Sequence, residues 1–204
     1  MPRRTTTSYA ILGLLALKPW TTYELAKQVQ RSLNWFWPRE ELKLYDEPKG
    51  LVADGFATAR AEKTGKRPRT VYDITPEGRD ELARWLGEPP APRTTEFEGM
   101  VKVFFADGGS RQQLLDTLDR MEADAQARLA ELATYAAGPK PFPERRHISA
   151  LCLELHFEQE AAVVRRSRWA REQVHHWSAA ADPGDWDADA VLASLAQRAA
   201  LSPG

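Results

Sequence analysis

The sequence predicts a mostly α-helical chain, with three short helices and a two-stranded hairpin at the front and only helices behind. Three observations carry that expectation. Apolar residues recur at helical spacing through the first 55 positions. A basic, glycine- and proline-bearing turn, Lys63-Thr64-Gly65-Lys66-Arg67-Pro68-Arg69, separates two runs of strand character. Two long segments with apolar residues three and four apart fill most of positions 95 to 180.

The first helix is expected from about Thr6 or Thr7 to Leu17. Tyr9, Ile11, Leu12, Leu14, Leu15 and Leu17 make it apolar nearly all round, which suits burial in a small core. Lys18-Pro19 ends it, because the residue before proline is pushed out of the helical region. Thr21 or Thr22 caps the second helix, with Glu24 in its first turn and Leu25, Ala26 and Val29 on its inner side. Lys27, Gln28 and Arg31 face outward. Pro38 suits the first turn of the third helix, where its missing N–H costs nothing. Leu42, Leu44, Tyr45, Leu51 and Val52 supply that helix's core contacts.

Pro48 is unusual in this position. It removes a helical hydrogen bond to the carbonyl of Leu44. It therefore reads as a kink, or as the first turn of a second helical piece from about 48 to 54, stopped by Gly55 as a left-handed cap.

Phe56–Glu62 and Thr70–Ile74 read as the two hairpin strands around the basic turn. Thr75-Pro76-Glu77 then opens a fourth helix with an N-cap, a proline at its first position and an early acid. Helix, helix, helix, strand, basic turn and strand make a winged helix-turn-helix. In that fold a helix enters the DNA major groove while the wing meets the flanking backbone. The charge distribution agrees. Residues 1–72 hold 13 Lys/Arg against 7 Asp/Glu, a net of +6, whereas residues 87–204 hold 13 against 18, a net of −5. A polyanion is drawn to the first part and repelled by the second.

The DNA-facing set is taken as Thr22, Tyr23, Lys27, Arg39, Glu40, Lys43, Tyr45, Lys49, Lys63, Lys66, Arg67 and Arg69. Arg39, Glu40 and Lys43 lead as base readers, since the early turns of such a helix reach base edges. Lys63, Lys66, Arg67 and Arg69 suit phosphates or a minor groove. Gly65-Lys66 is no phosphate loop: the spacing is wrong, and neither Ser nor Thr follows the lysine.

These pieces, in this order, resemble PadR-type transcriptional regulators. The resemblance rests on Tyr9 to Leu15, Thr22-Tyr23-Glu24-Leu25, Leu44-Tyr45 through Leu51 to Phe56, and Lys66 to Gly78. It covers about residues 6 to 86. The family usually has an aliphatic residue where Pro48 stands. The resemblance implies a homodimeric DNA-binding regulator, usually a repressor and often relieved by a small ligand, of the subgroup with a larger C-terminal domain.

The domains are expected at 1–88 and 89–204, divided at the proline-rich stretch 87–95. Helices are expected at about 95–106, about 111–137 capped by Ser110, about 144–180, and about 187–200. Leu114, Leu118, Met121, Ala125, Leu129, Leu132 and Ala136 form a heptad-like seam on the second of these. Ile148, Leu151, Leu155, Ala162, Trp169 and Gln173 follow one side of the third. Stripes this long call for a partner helix across a two-fold axis.

The seven Trp residues read first as core or interface packing. The alternative is an apolar cavity for a small aromatic effector, bounded by Phe97, Phe104 or Trp169. No His or acidic set has zinc spacing, and no nucleophile–base pair or cofactor loop stands out, so neither a metal, a cofactor nor catalysis is expected. The lone Cys152 is expected to be buried and forms no intrachain disulfide. No apolar run approaches the roughly 18 residues of a membrane span, and the composition points to the cytoplasm. The competing functional reading is a sequence-indifferent architectural binder of double-stranded DNA, using the same wing.

Overall fold

The computed structural model describes residues 4–33, 37, 41–64, 67–139 and 141–201, with side chains omitted at 41–43, 63–64 and 67–68. The chain divides into two compact units, Met1–Arg93 and Thr94–Gly204.

In the first unit, helix α1 spans Thr6–Leu15, capped by Thr5, whose hydroxyl accepts the Ser8 N–H at 3.3 Å. Ile11, Leu12 and Leu15 are fully buried. The helix stops two residues before the expected Leu17. Trp20 then forms a two-residue strand with Thr21, β1, and its indole N–H donates to the Leu14 carbonyl at 2.7 Å. The same carbonyl, at the helix end, also accepts the Leu17 N–H at 3.0 Å. Helix α2 spans Thr22–Ser32. Its cap is Thr21, in a reciprocal capping box with Glu24.

Helix α3 spans Glu41–Ala53 and contains Pro48. The second helical piece starting at Pro48 does not exist. The proline continues one helix, with its ring fully buried beside Leu44 and Leu51 in the core. Core packing offsets the hydrogen bond that proline forfeits. The stop at Gly55 is as expected: φ is +80°, Phe56 N–H bonds to Leu51 O at 2.9 Å, and Gly55 N–H bonds to Val52 O at 3.1 Å. This pair of bonds is the Schellman motif.

Strands β2 (Ala57–Thr64) and β3 (Arg67–Ile74) form the wing. Pairing extends further toward the tip than expected, to Thr64↔Arg67, so Lys63, Arg67 and Arg69 belong to the ladder instead of a loop. β1 adds a third antiparallel strand in the order β1-β3-β2, with Trp20 opposite Tyr72. Helix α4 spans Pro76–Leu86, with Thr75 as cap and Pro76 at the first position. Its start lies tight against the wing base, where a Cβ on Gly78 would come within 2.1 Å of the Phe56 carbonyl oxygen.

In the second unit, α5 spans Glu98–Phe104, shorter than expected, and a 3-10 turn Ala106–Gly108 follows. Helix α6 spans Arg111–Ala137 with a Ser110/Gln113 capping box. Helix α7 spans Arg146–His175 and α8 spans Ala188–Leu201. α7 ends five residues before the expected position because Arg111 donates to the carbonyls of His175 (3.1 Å) and Trp177 (2.8 Å). Trp177 packs on the core of Leu114, Leu115, Leu118 and Val174 and lies against Trp186.

The side of α7 that packs on α6 is a different one from the apolar stripe expected to meet a partner helix. His156, Glu160, Val164, Ser167 and Val174 are buried, while Ile148, Leu151 and Leu155 stand in solvent. Beside the buried Leu114, Leu118, Ala125, Leu132, Val164 and Val174, ion pairs cross the seam: Arg168 to Glu122 at 2.6 Å, Arg171 to Asp119 at 2.6 Å and to Glu122 at 2.9 Å, and Arg128 to Glu160 at 3.6 Å. Burial lowers the pKa of His156, favouring its neutral form. Cys152 is exposed, contrary to expectation, because it lies on the outward side of α7.

Candidate nucleic-acid interface

The site is built on the start of α2, helix α3 and the wing. Thr21 links the start of α2 to the wing, being both the partner of Val71 in the sheet and the cap of α2. Glu24 accepts the Thr21 N–H at 2.8 Å and the Thr21 hydroxyl at 2.7 Å, and these bonds lower its pKa. The charges of Lys18 and Arg69 act in the same direction. Tyr23, in the first turn, is 64% exposed, Lys27 is exposed one turn on, and Thr22 is half-buried. A helix start with outward polar and aromatic side chains can meet a phosphate through its N–H groups and hydroxyls.

On α3, Lys49 is exposed and paired with Asp46 at 2.9 Å, and Tyr45 is half-buried. Arg39 and Glu40 lie outside the described residues, as does Pro38. The side chain of Lys43 also lies outside them.

On the wing, Arg69 donates to Glu62 at 2.8 Å, directly across the ladder. Arg60 approaches the same carboxylate at 3.2 Å. Lys66 and the side chains of Lys63 and Arg67 lie outside the described residues. Arg60 and Glu62 are charged residues that the strand pattern gave no reason to single out. Only the register, which places Glu62 opposite Arg69, brings them together. The wing base is anchored by Arg4, which pairs with Asp54 and lies over the Phe56 ring, 4.5 Å from its centroid.

In the second unit, one cleft of about 770 Å³ lies between the end of α6 and the start of α7, among Leu129, Leu132, Ala136, Leu153 and Phe157. Another, of about 530 Å³, runs along α5 and α6 past Val101 and Phe105. Phe97, Phe104 and Trp169 line neither. Phe104 is exposed and meets Phe105 edge-on at 4.9 Å, while Trp169 is more than one-third exposed. Among the described residues, no group of three His, Cys, Asp or Glu could hold a metal ion. No described helix is long and apolar enough to cross a membrane.

Comparison with known proteins matches residues 11–84 to the transcriptional regulator PadR-like family. The negative transcriptional regulator PadR of Bacillus subtilis is 34% identical over 126 residues, which make up 61% of this chain and 69% of that protein. The crystal structure of B. subtilis PadR in complex with operator DNA superposes with a TM-score of 0.73 at 28% identity, covering 83% of this chain and 99% of that one. The structure of the same protein with p-coumaric acid gives 0.70 at 27% identity, covering 84% and 99%. With its winged helix, its helical second unit and these relatives, the chain belongs to the PadR-like family of transcriptional regulators.

Proposed function

We propose that this protein is a cytoplasmic homodimeric repressor that binds a pseudo-palindromic operator through α3 and the wing. The observation that carries this reading is its likeness to B. subtilis PadR bound to operator DNA, at 28% identity over nearly all of that chain. The net charge of +6 on residues 1–72 supports it, because it lies on the unit that holds the wing. The uncovered apolar row Ile148, Leu151 and Leu155 on α7 supports pairing of two copies.

A small planar aromatic acid is the proposed effector class, by analogy with the p-coumaric acid held by that relative. Phe97, Phe104 and Trp169 are the side chains offered to it. Its binding would change the separation or tilt of the two winged helices and so mismatch the half-sites.

The test is selection of bound fragments from the source genome by the purified protein. Enriched fragments should share two inverted half-sites about one helical turn apart or a multiple of it. Binding without any enriched motif would instead favour the sequence-indifferent architectural reading.

A further inference from the structure

The charged face of the wing has an acid at its centre. Side chains two apart on a strand share a face, and directly paired positions on neighbouring strands do too. Glu62 on β2 is paired with Arg69 on β3, and Arg60 stands two positions back on β2. One carboxylate oxygen of Glu62 receives Arg69 at 2.8 Å and the other receives Arg60 at 3.2 Å. Arg69 is also close enough to Glu24 to help lower its pKa. Both arginines remain well exposed, Arg60 at 62% and Arg69 at 45% of their side chains.

Exposed ion pairs of this kind contribute little to folding. Their weight falls on binding instead. A phosphate that takes either guanidinium must displace the same carboxylate and approach its negative charge.

We propose that Glu62 is an electrostatic attenuator of the DNA-contacting wing, and that Arg60 is a further phosphate-contacting residue beside Arg69. This rests on the DNA-binding reading above. Glu62 holds both guanidiniums together and lowers the wing's affinity for duplex whatever its sequence. Because sequence-independent binding rests almost wholly on charge, it is the binding that Glu62 suppresses most.

The test measures fluorescence anisotropy of a labelled random-sequence 30-base-pair duplex with the full chain between 50 and 200 mM salt. Glu62→Gln should bind roughly 3- to 10-fold more tightly than wild type at 50 mM. Its salt dependence should steepen by about one phosphate equivalent, which erodes the advantage about 3.5-fold by 200 mM. Glu62→Ala should behave alike, and adding Arg60→Ala to Glu62→Gln should remove much of the gain.

Thermal melts of all variants separate a binding change from loss of fold. A Glu62→Gln protein with wild-type affinity and salt slope would overturn the proposal alone. So would one that binds more weakly, since Glu62 would then be orienting the arginines for contact. Wild-type protein that ignores duplex even at 50 mM salt would overturn the DNA-binding reading and this inference with it.

Discussion

Replacing Glu81 by glutamine tests whether the joint between α1 and α4 is held by charge. Glu81 takes Arg84 in a two-pronged pair, Nε to Oε2 at 2.8 Å and Nη2 to Oε1 at 2.6 Å, and accepts the Tyr9 hydroxyl at 2.8 Å. Tyr9 in turn stacks on Trp85 with ring centroids 4.6 Å apart, and is almost fully buried. The Arg84 pair, aided by the tyrosine hydroxyl, holds the Glu81 carboxyl at about 2 instead of 4.5. At 1.36 kcal/mol per pH unit that corresponds to about 3 kcal/mol. Arg84 is 53% exposed, so solvent screening reduces the expected contribution to about 1–2 kcal/mol. The folded carboxyl is the stronger acid. Its contribution is therefore complete above about pH 5 and is lost as pH falls toward 2. Urea unfolding followed by tryptophan fluorescence should show Glu81→Gln less stable by about 1–2 kcal/mol at pH 7, with the gap closing between pH 5 and pH 2. A gap of the same size at pH 7 and pH 2.5 would refute the electrostatic account and leave shape or hydrogen bonding as the cause.

The glycines give predictions of opposite sign. Gly78→Ala should cost about 2–4 kcal/mol in urea unfolding, because its methyl group meets the Phe56 carbonyl, which already accepts Thr75 N–H at 3.1 Å. Gly13→Ala, with nothing within 4 Å of the added carbon in the middle of α1, should stabilise by up to about 1 kcal/mol. Leu151→Glu with Leu155→Glu should convert the proposed dimer to monomers by sedimentation velocity without unfolding the chain, since both residues are exposed in the single subunit. Unchanged mass would move the dimer contact away from α7.

The parts of the fold legible in the sequence are those fixed by local chemistry. Thr75-Pro76, Ser110 and Gly55 each specify a helix end within a few residues, and each stands where expected. Features decided by distant contacts were not legible. Pro48 reads as a break because its cost is local, while the offsetting burial of its ring in the core is tertiary. A two-residue strand such as β1 carries no alternation to detect. The end of α7 is set by Arg111, more than sixty residues away in sequence. The candidate site was legible as a run of charge but not as a set of partners. The sequence shows Arg69 to be basic, and only the hairpin register shows that it already holds Glu62.

Helix α7 shows the same distinction. Its sequence carries two stripes, an apolar one through Ile148, Leu151 and Leu155 and a mixed one through His156, Glu160 and Ser167. Hydrophobicity marks the first for burial, and its length assigns it to a partner helix across a two-fold axis. In the single subunit the mixed stripe packs on α6, with Arg128 reaching Glu160 and with Arg168 and Arg171 drawn to Glu122. Burying ion pairs gains little net stability over burying apolar side chains. An isolated hairpin optimised for its own stability would therefore turn the leucines inward. The exposed row at α7 supports the proposed homodimer, in which the ion pairs would set the register of α6 on α7 and a second copy would cover the apolar row. The double Leu→Glu variant addresses that division directly: it should abolish association while leaving the charged seam, and with it the helical hairpin, intact.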